Sequence, residues 1–300
     1  MDNQLHIGGL KKPTIDLRDF SHKKYFGAGE LPTVDFDVNP NARITDQGTT
    51  DFCVPFSTTS CSEDQETPAL SPEYIAHKII KPDVFGAEIR SGAKAHCDFG
   101  CIEQSESPVR VPGVSRAEVL NEKNWRDKDY DALASKHKKL RYFRVDNLLG
   151  SKFDAIRSAL WMHKEDKRSI FTGAIWYREW TYAAGGVVPK RYSERVEGHA
   201  FKVRGQKHIN GEPYLVIQNS GGTDYGNRGL WYFPREVVDS EFYPAYMFVD
   251  VDEEKVVAVQ KTLIEKLKQV IQLYIILITR NAAQKVELFG KNLWKAISSS

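Results

Sequence analysis

The sequence predicts an α+β protein of two lobes, because helical and strand-like patterns occupy different halves of the chain. Apolar residues at helical spacing come first, and runs rich in β-branched and aromatic residues follow from Ile170 onward. Helices followed by strands, rather than an alternation of the two, are typical of α+β proteins. The 300 residues, 41% hydrophobic and 27% charged, have the composition of an ordinary soluble globular chain.

The predicted elements follow one another in a simple order. Residues 1–40 predict an extended arm, because prolines and glycines interrupt them. Apolar spacing predicts helices over 52–66, 72–80, 87–98 and 153–163. Short apolar runs between turn residues predict strands over 170–176, 199–203, 214–218, 229–233 and 245–249. We therefore place a mainly helical lobe at 41–140 and a mainly β lobe at 141–250.

The last part of the chain, 251–300, predicts a basic amphipathic helical extension. Between Val256 and Ser300, seven Lys or Arg residues stand against two Asp or Glu residues. Its apolar residues recur at helical spacing, but their densest stretch, 270–278, is far shorter than the roughly 20 residues of a membrane span. We expect residues 256–300 to dock on the body, to self-associate or to lie on a membrane surface. The charge is too modest and too local to predict nucleic-acid binding.

The four cysteines do not predict a disulfide framework in a chain of this length. Cys61 and Cys97 are expected to be inert buried thiols. Cys97 and Cys101 are four residues apart, which leaves a local disulfide open, but even with His96 they do not complete a metal-ligand set. We therefore predict no metal and no cofactor. Residues 1–10 lack the apolar run of a signal peptide, so a cytoplasmic location is favoured, with peripheral membrane attachment as the alternative.

Four residues point to a reaction: Gln47, Cys53, His199 and Asn219. Residues 45–51 are rich in turn formers, and Pro55 marks an early helical position, so Cys53 is predicted at a helix N-terminus, where the helix dipole favours a thiolate. A histidine beside a cysteine activates the thiol and later protonates the leaving group, and a third polar group orients its ring. A glutamine amide can donate to the oxyanion of a tetrahedral intermediate.

The predicted strands at 199–203 and 214–218 would form a hairpin through the turn at 207–213. That hairpin would bring His199 and Asn219 side by side, with Cys53 facing them from the helical lobe. Asp51 is predicted to cap the helix that begins near Cys53, although its negative charge opposes thiolate formation. The aromatic cluster at 176–182 is expected to pack in the core, with a position lining the cleft as the alternative.

These residues resemble the papain-like cysteine peptidases. Residues 46–48 through Cys53 and Phe56-Ser57 are similar to the nucleophile region of that family, 198–200 to its histidine motif, and 219–230 to its asparagine motif and the glycine-rich loop after it. Weaker similarity covers 70–74 and 86–108. The resemblance implies a two-lobed fold whose second lobe is antiparallel and barrel-like. It also implies Cys53 as nucleophile, His199 as base and acid, Asn219 as its orienting group and Gln47 as an oxyanion donor. The implied activity is hydrolysis of peptide bonds in a peptide or protein substrate.

The chain departs from the family pattern next to the reacting groups. Val54 and Gly221 stand where the family usually has tryptophans, one after the nucleophile and one after the asparagine, and Tyr225 stands where a second tryptophan after the asparagine is common. A catalytically weak or inactive protein that binds peptides or serves as a scaffold is therefore the alternative hypothesis. A cell-wall peptide or a transpeptidation partner as substrate also stays open. Motifs begin by Gln47, which leaves no room for a long inhibitory prosegment, so the restraint on activity is an open question.

Overall fold

A computed structural model describes residues 5–14, 16, 19–146, 150–250 and 272. The chain divides into two compact units, residues 1–250 and 251–300. The predicted amphipathic helix within 256–300 lies outside the described residues. Of the helices in the described part of the chain, none combines the length and apolar character needed to cross a membrane.

The helices of the described residues are short, and most lie in the first 162 residues. The four predicted helices are present, with ends that differ by no more than three residues from the predicted ones. Five short helices had no clear sequence signal. In chain order the helices are α1 (His22–Phe26), α2 (Cys53–Glu63), α3 (Pro72–Ile79), α4 (Ile89–Asp98), α5 (Arg116–Val119), α6 (Tyr130–Ala134), α7 (Lys152–Met162), α8 (Arg178–Thr181) and α9 (Arg235–Glu241).

One open antiparallel sheet dominates the second half of the chain. Its strands are β1 (Phe36–Asp37), β2 (Tyr142–Arg144), β3 (Ile170–Tyr177), β4 (Arg195–Ile209), β5 (Glu212–Gln218), β6 (Leu230–Pro234) and β7 (Tyr246–Phe248). The order is β2-β7-β3-β4-β5-β6, and β1 pairs with β4. The predicted strand at 199–203 is only the middle of β4. Its outer residues are mostly polar, exposed at the start of the strand and buried at Arg204 and Gln206, so apolar patterning does not reveal them.

Helix α2 is buried and packs on β4. Every residue from Cys53 to Ser62 is buried, so the helix shows no polar face in its sequence. At its C-terminal end, the carboxylate of Asp64 accepts a 2.6 Å hydrogen bond from Lys202 Nζ in β4. Both side chains are almost fully buried, at 1% and 2% exposure. This charge pair fixes α2 against the strand that carries His199.

The N-terminal arm is less extended than predicted, since it contains α1 and β1. Phe20 O accepts a hydrogen bond from Arg144 N on β2, and β1 adds to the sheet edge beside the second half of β4. His22 on α1 meets His163 at the end of α7, with 3.0 Å between their Nε2 atoms. The arm therefore packs against both the helices and the sheet.

Candidate active site

The structure brings the four predicted site residues together. Cys53 is the first residue of α2, His199 lies in β4, and Asn219 follows β5 directly. The β4–β5 hairpin pairs antiparallel as predicted. Gln47 joins the group through its backbone, because Gln47 N donates to Ser220 O at 2.8 Å.

The imidazole of His199 is held from one side by Asn219. His199 Nε2 lies 2.6 Å from Asn219 Oδ1, and the same oxygen accepts from Ser220 N at 2.7 Å. Because the amide oxygen only accepts, Nε2 carries the proton and Nδ1 is the acceptor nitrogen of the ring. Trp176 packs its ring edge-on against the imidazole, with centroids 5.4 Å apart. The ring is fully buried, and this burial lowers the pKa of His199 to about 4.

The thiol of Cys53 lies against β4 beside the histidine. The backbone N–H of Ala200, the residue after His199, lies close enough to the thiol to favour its ionised form. Burial nevertheless raises the pKa of Cys53 to about 12, although the N–H groups of Ala200 and Val54 oppose the rise. The charge of Asp51 raises this pKa further. In this state burial outweighs the helix dipole, so the thiol is protonated and the imidazole neutral.

The prediction that Asp51 caps α2 is wrong. Phe52 occupies the N-cap position, and no side chain caps the helix there. The Asp51 carboxylate instead accepts from Gly86 N at 2.5 Å and from Arg116 Nε at 2.8 Å. Arg116 also donates to three carbonyls of the preceding loop, at Lys81, Pro82 and Val84. Asp51 thus ties the segment before the nucleophile to the loop at 81–86.

Gln47 is fully buried within the turn that precedes Cys53. Its Nε2 donates to Thr50 O at 2.8 Å, and its Oε1 accepts from Ser220 Oγ at 2.7 Å. These two bonds fix the orientation of the amide plane. An amide nitrogen carries two N–H groups, so the one that does not bond Thr50 is the donor that the predicted oxyanion role needs.

Residues 5–10, here called the cleft segment, cover the candidate active site. Gly8 N donates to His199 Nδ1 at 3.5 Å, the ring nitrogen that Asn219 does not contact. The next residues pair with both walls: Leu10 N donates to Gly198 O at 3.0 Å, and Ala87 N donates to Gly9 O at 2.8 Å. This segment explains why Cys53 and His199 have no exposed surface. We did not foresee it from sequence, and the pair Gly8-Gly9 is the signal that marks it.

Two glycines allow this close approach. A Cβ added to Gly9 would lie 2.1 Å from Asp51 O, and the φ of +104° disfavours any side chain there. A Cβ added to Gly173 on β3 would lie 2.2 Å from Leu10 Cδ2, so Leu10 fills the space that a side chain at 173 would take. The cleft segment is therefore seated by backbone hydrogen bonds and by one buried aliphatic side chain.

The remaining predicted features fall outside this group. Trp176 and Trp180 are buried in the core, whereas Tyr182 is 65% exposed and lines a cavity of about 570 Å³ next to the cleft segment. Cys53, Cys61, Cys97 and Cys101 are all free thiols. Over the described residues, no group of three or more His, Cys, Asp or Glu side chains is arranged to hold a metal ion.

Solved structures of cysteine proteases share this fold. Xylellain, a cysteine protease from Xylella fastidiosa, is similar at a TM-score of 0.67 and 20% identity over 83% of this chain and 98% of its own. A procathepsin B from Trypanosoma congolense gives 0.59 and 16% over 82% and 87%, and a recombinant stem bromelain precursor 0.55 and 13% over 84% and 81%. No protein-family model and no curated protein matches the sequence. The chain has the papain-like fold.

Proposed function

We propose that this papain-fold chain is a cysteine peptidase that hydrolyses peptide bonds through an acyl-enzyme on Cys53. The observation that supports it most is the pairing at His199. Asn219 holds the Nε2 side of the ring, and the thiol of Cys53 lies against the N–H of Ala200 next to it. Nucleophilic catalysis requires a nucleophile next to a base, and a third group that holds the base in the right orientation.

The reaction follows from these positions. His199 Nδ1 takes the Cys53 proton, and the thiolate attacks the substrate carbonyl carbon to form a C–S bond. The amide of Gln47 and the backbone N–H of Cys53 donate to the oxyanion. His199 returns the proton to the leaving amine as the C–N bond breaks. A water molecule, deprotonated by His199, then attacks the thioester, and the C–S bond breaks to release the acid and the thiol.

The form described here is the resting form of that enzyme. The cleft segment occupies the side of His199 on which a substrate would lie, and burial keeps both reacting groups uncharged. Departure of the segment would admit water and substrate and would bring the two pKa values toward those of an ion pair. A short arm can thus restrain the enzyme.

Labelling of Cys53 tests the proposal. The full-length chain carrying Gly9→Glu, which prevents the cleft segment from seating, is treated with an epoxysuccinyl thiol-protease inhibitor, and modified residues are mapped by mass spectrometry. We expect one label on Cys53 and hydrolysis of fluorescein-labelled casein, both lost with Cys53→Ala. The matched control Cys97→Ala, which removes a more exposed thiol, keeps both. Equal labelling of the Cys53→Ala protein, or none of either, contradicts the proposal.

A second candidate function is a silent protein that binds peptides. It is favoured by the occupied cleft, in which the chain already holds a peptide of its own through backbone hydrogen bonds. In that case the Gly9→Glu protein would bind casein peptides without turnover, and Cys53→Ala would bind them equally well. Casein hydrolysis that depends on Cys53 excludes it.

A further inference from the structure

The cleft segment places a side chain above Gly221, two residues after Asn219, where the body of the protein has none. Gly221 itself has no side chain to cover the Asn219–His199 pair. A Cβ added to Gly221 would come within 1.9 Å of Leu5 Cδ1, so the side chain of Leu5 occupies that position. The backbone of Gly221 pairs with Asp46 in an isolated bridge, which holds the glycine in place beneath Leu5.

This cover matters for the hydrogen bond that orients His199. Asn219 is 1% exposed in the closed form, and its Oδ1 accepts from both His199 Nε2 and Ser220 N. Its Nδ2 is buried and has no hydrogen-bond partner among the described residues. Water that reached this group would compete for the amide and weaken its hold on the imidazole. When the cleft segment leaves, the cover of Leu5 leaves with it.

We infer that the substrate restores the cover, through a bulky aliphatic residue immediately after the scissile bond that takes the place of Leu5 above Gly221. This inference rests on the proposed peptidase activity and names its substrate class. The cleft segment contacts both ends of the site, with Leu10 between Ala87 and Gly198 and Leu5 above Gly221. The leaving amine must receive its proton from His199, and Gly221 lies just beyond the Asn219 side of that ring. The leaving half of the peptide therefore extends over Gly221.

The space around Leu5 has room for such a residue. Leu5 and Ile7 line the cavity of about 570 Å³, together with Thr181, Tyr182 and Val196. Removal of the cleft segment enlarges this space and leaves Tyr182 and Val196 as its apolar surface, next to the charged side chains of Arg178, Glu194 and Arg195. An aliphatic side chain gains free energy by burial there, and it also keeps water from the Asn219–His199 bond. The second effect acts on the chemical step and not on binding alone.

Gly221 gives a direct way to test this. Its φ does not lie in the left-handed region, so its backbone accepts a side chain, and Leu5 is the neighbour that a Cβ would meet. A permanent ring from Gly221→Trp would cover Asn219 without help from the substrate, and would also prevent Leu5 from seating. Gly221→Leu provides a smaller cover if the tryptophan protein does not fold.

The experiment compares substrates in two full-length proteins, Gly9→Glu and Gly9→Glu/Gly221→Trp. A casein sequence that the first protein cleaves is synthesised with Leu or Gly directly after the scissile bond. For Gly9→Glu we expect an acylation rate about tenfold higher with Leu, the effect of about one hydrogen bond. For the double variant the ratio falls to near one, because the rate with Gly rises.

Two results would overturn the inference. One is equal acylation of the two peptides by Gly9→Glu, and the other is an unchanged tenfold ratio in the double variant, which would place the preference elsewhere. A chloromethyl ketone with residues only on the acyl side separates this outcome from failure of the proposed function. If Cys53 is labelled but the preference for Leu is absent, only the inference about the substrate cover is refuted. If there is neither labelling nor cleavage, the proposed peptidase activity is refuted as well.

Discussion

Replacement of Gly9 by glutamate should convert the resting form into an active one. The added Cβ would lie 2.1 Å from the backbone oxygen of Asp51, and no rotamer relieves a contact between two backbone-anchored atoms. The φ of +104° adds strain for any residue with a side chain. The cleft segment must therefore move away from Asp51 and give up its pairing with Ala87 and Gly198.

The size of the effect follows from the contacts that are lost. Three backbone hydrogen bonds seat the segment, namely those of Leu10 N, Lys11 N and Ala87 N, at 2.8–3.0 Å. At a net value of about 1 kcal/mol each they contribute about 3 kcal/mol, and backbone strain at position 9 adds about 1 kcal/mol. A shift of about 4 kcal/mol changes the ratio of open to closed forms by about 10³. Activity should rise by this factor or until the open form is fully populated.

The assay is hydrolysis of fluorescein-labelled casein by the full-length proteins at equal concentration. Gly27→Glu is the matched control, because Gly27 also has a positive φ and lies in the same arm, but an added Cβ there meets nothing within 4 Å. We expect Gly27→Glu to match the wild type. A folded Gly9→Glu protein with wild-type activity would refute the reasoning, and equal activation by Gly27→Glu would show that loosening of the arm, and not the cleft contact, is responsible.

Two further predictions concern stability. Lys202→Met should lower the free energy of unfolding by about 3–5 kcal/mol in urea denaturation, because it leaves the Asp64 carboxylate buried without its positive partner. Replacement of the exposed Lys136 by Met should change the free energy of unfolding by less than about 0.5 kcal/mol. A small effect of Lys202→Met would mean that water reaches Asp64. Burial and the neighbouring His163 lower the pKa of His22 from 6.5 to about 3, so the unfolded state binds more protons than the folded state. The free energy of unfolding should therefore fall as the pH drops below 6.5, by on the order of 3 kcal/mol at pH 4. His22→Phe should flatten this decline in denaturation experiments between pH 7 and pH 4, and an unchanged slope would contradict the prediction.

The sequence predicted what depends on local patterning. Apolar runs between turn residues predicted the hairpin that joins His199 to Asn219. The turn before Pro55 predicted that a helix starts near Cys53. The role of Asp51 was missed because its partners, Gly86 and Arg116, are 35 and 65 residues away. When only the neighbours in sequence are known, a carboxylate before a helix is interpreted as an N-cap.

The cleft segment was missed for a related reason. Residues 5–10 have no periodicity of their own, and their contacts lie on the loop at Ala87 and on the strand at Gly198. The missing side chains of Gly173 and Gly221 leave the space that the cleft segment fills. A glycine in the sequence does not show which distant residue fills the space beside it. The predicted division of the body near residue 140, the docking or membrane role of 256–300 and the cytoplasmic location stay predictions.

The contact between Asp51 and Gly86 N also fixes the distance between Ala87 and Cys53. Ala87 follows Gly86, and it is the residue whose backbone grips the peptide in the cleft, while Cys53 comes two residues after Asp51. The Asp51 carboxylate therefore links the residue pair that holds the cleft segment, Gly86 and Ala87, to the start of the helix that carries the proposed nucleophile Cys53. A misplacement of about 1 Å in such a site can cost a factor of about 100 in rate. The charge of Asp51 raises the pKa of the Cys53 thiol, but its hydrogen bond to Gly86 fixes the position of Ala87 relative to Cys53.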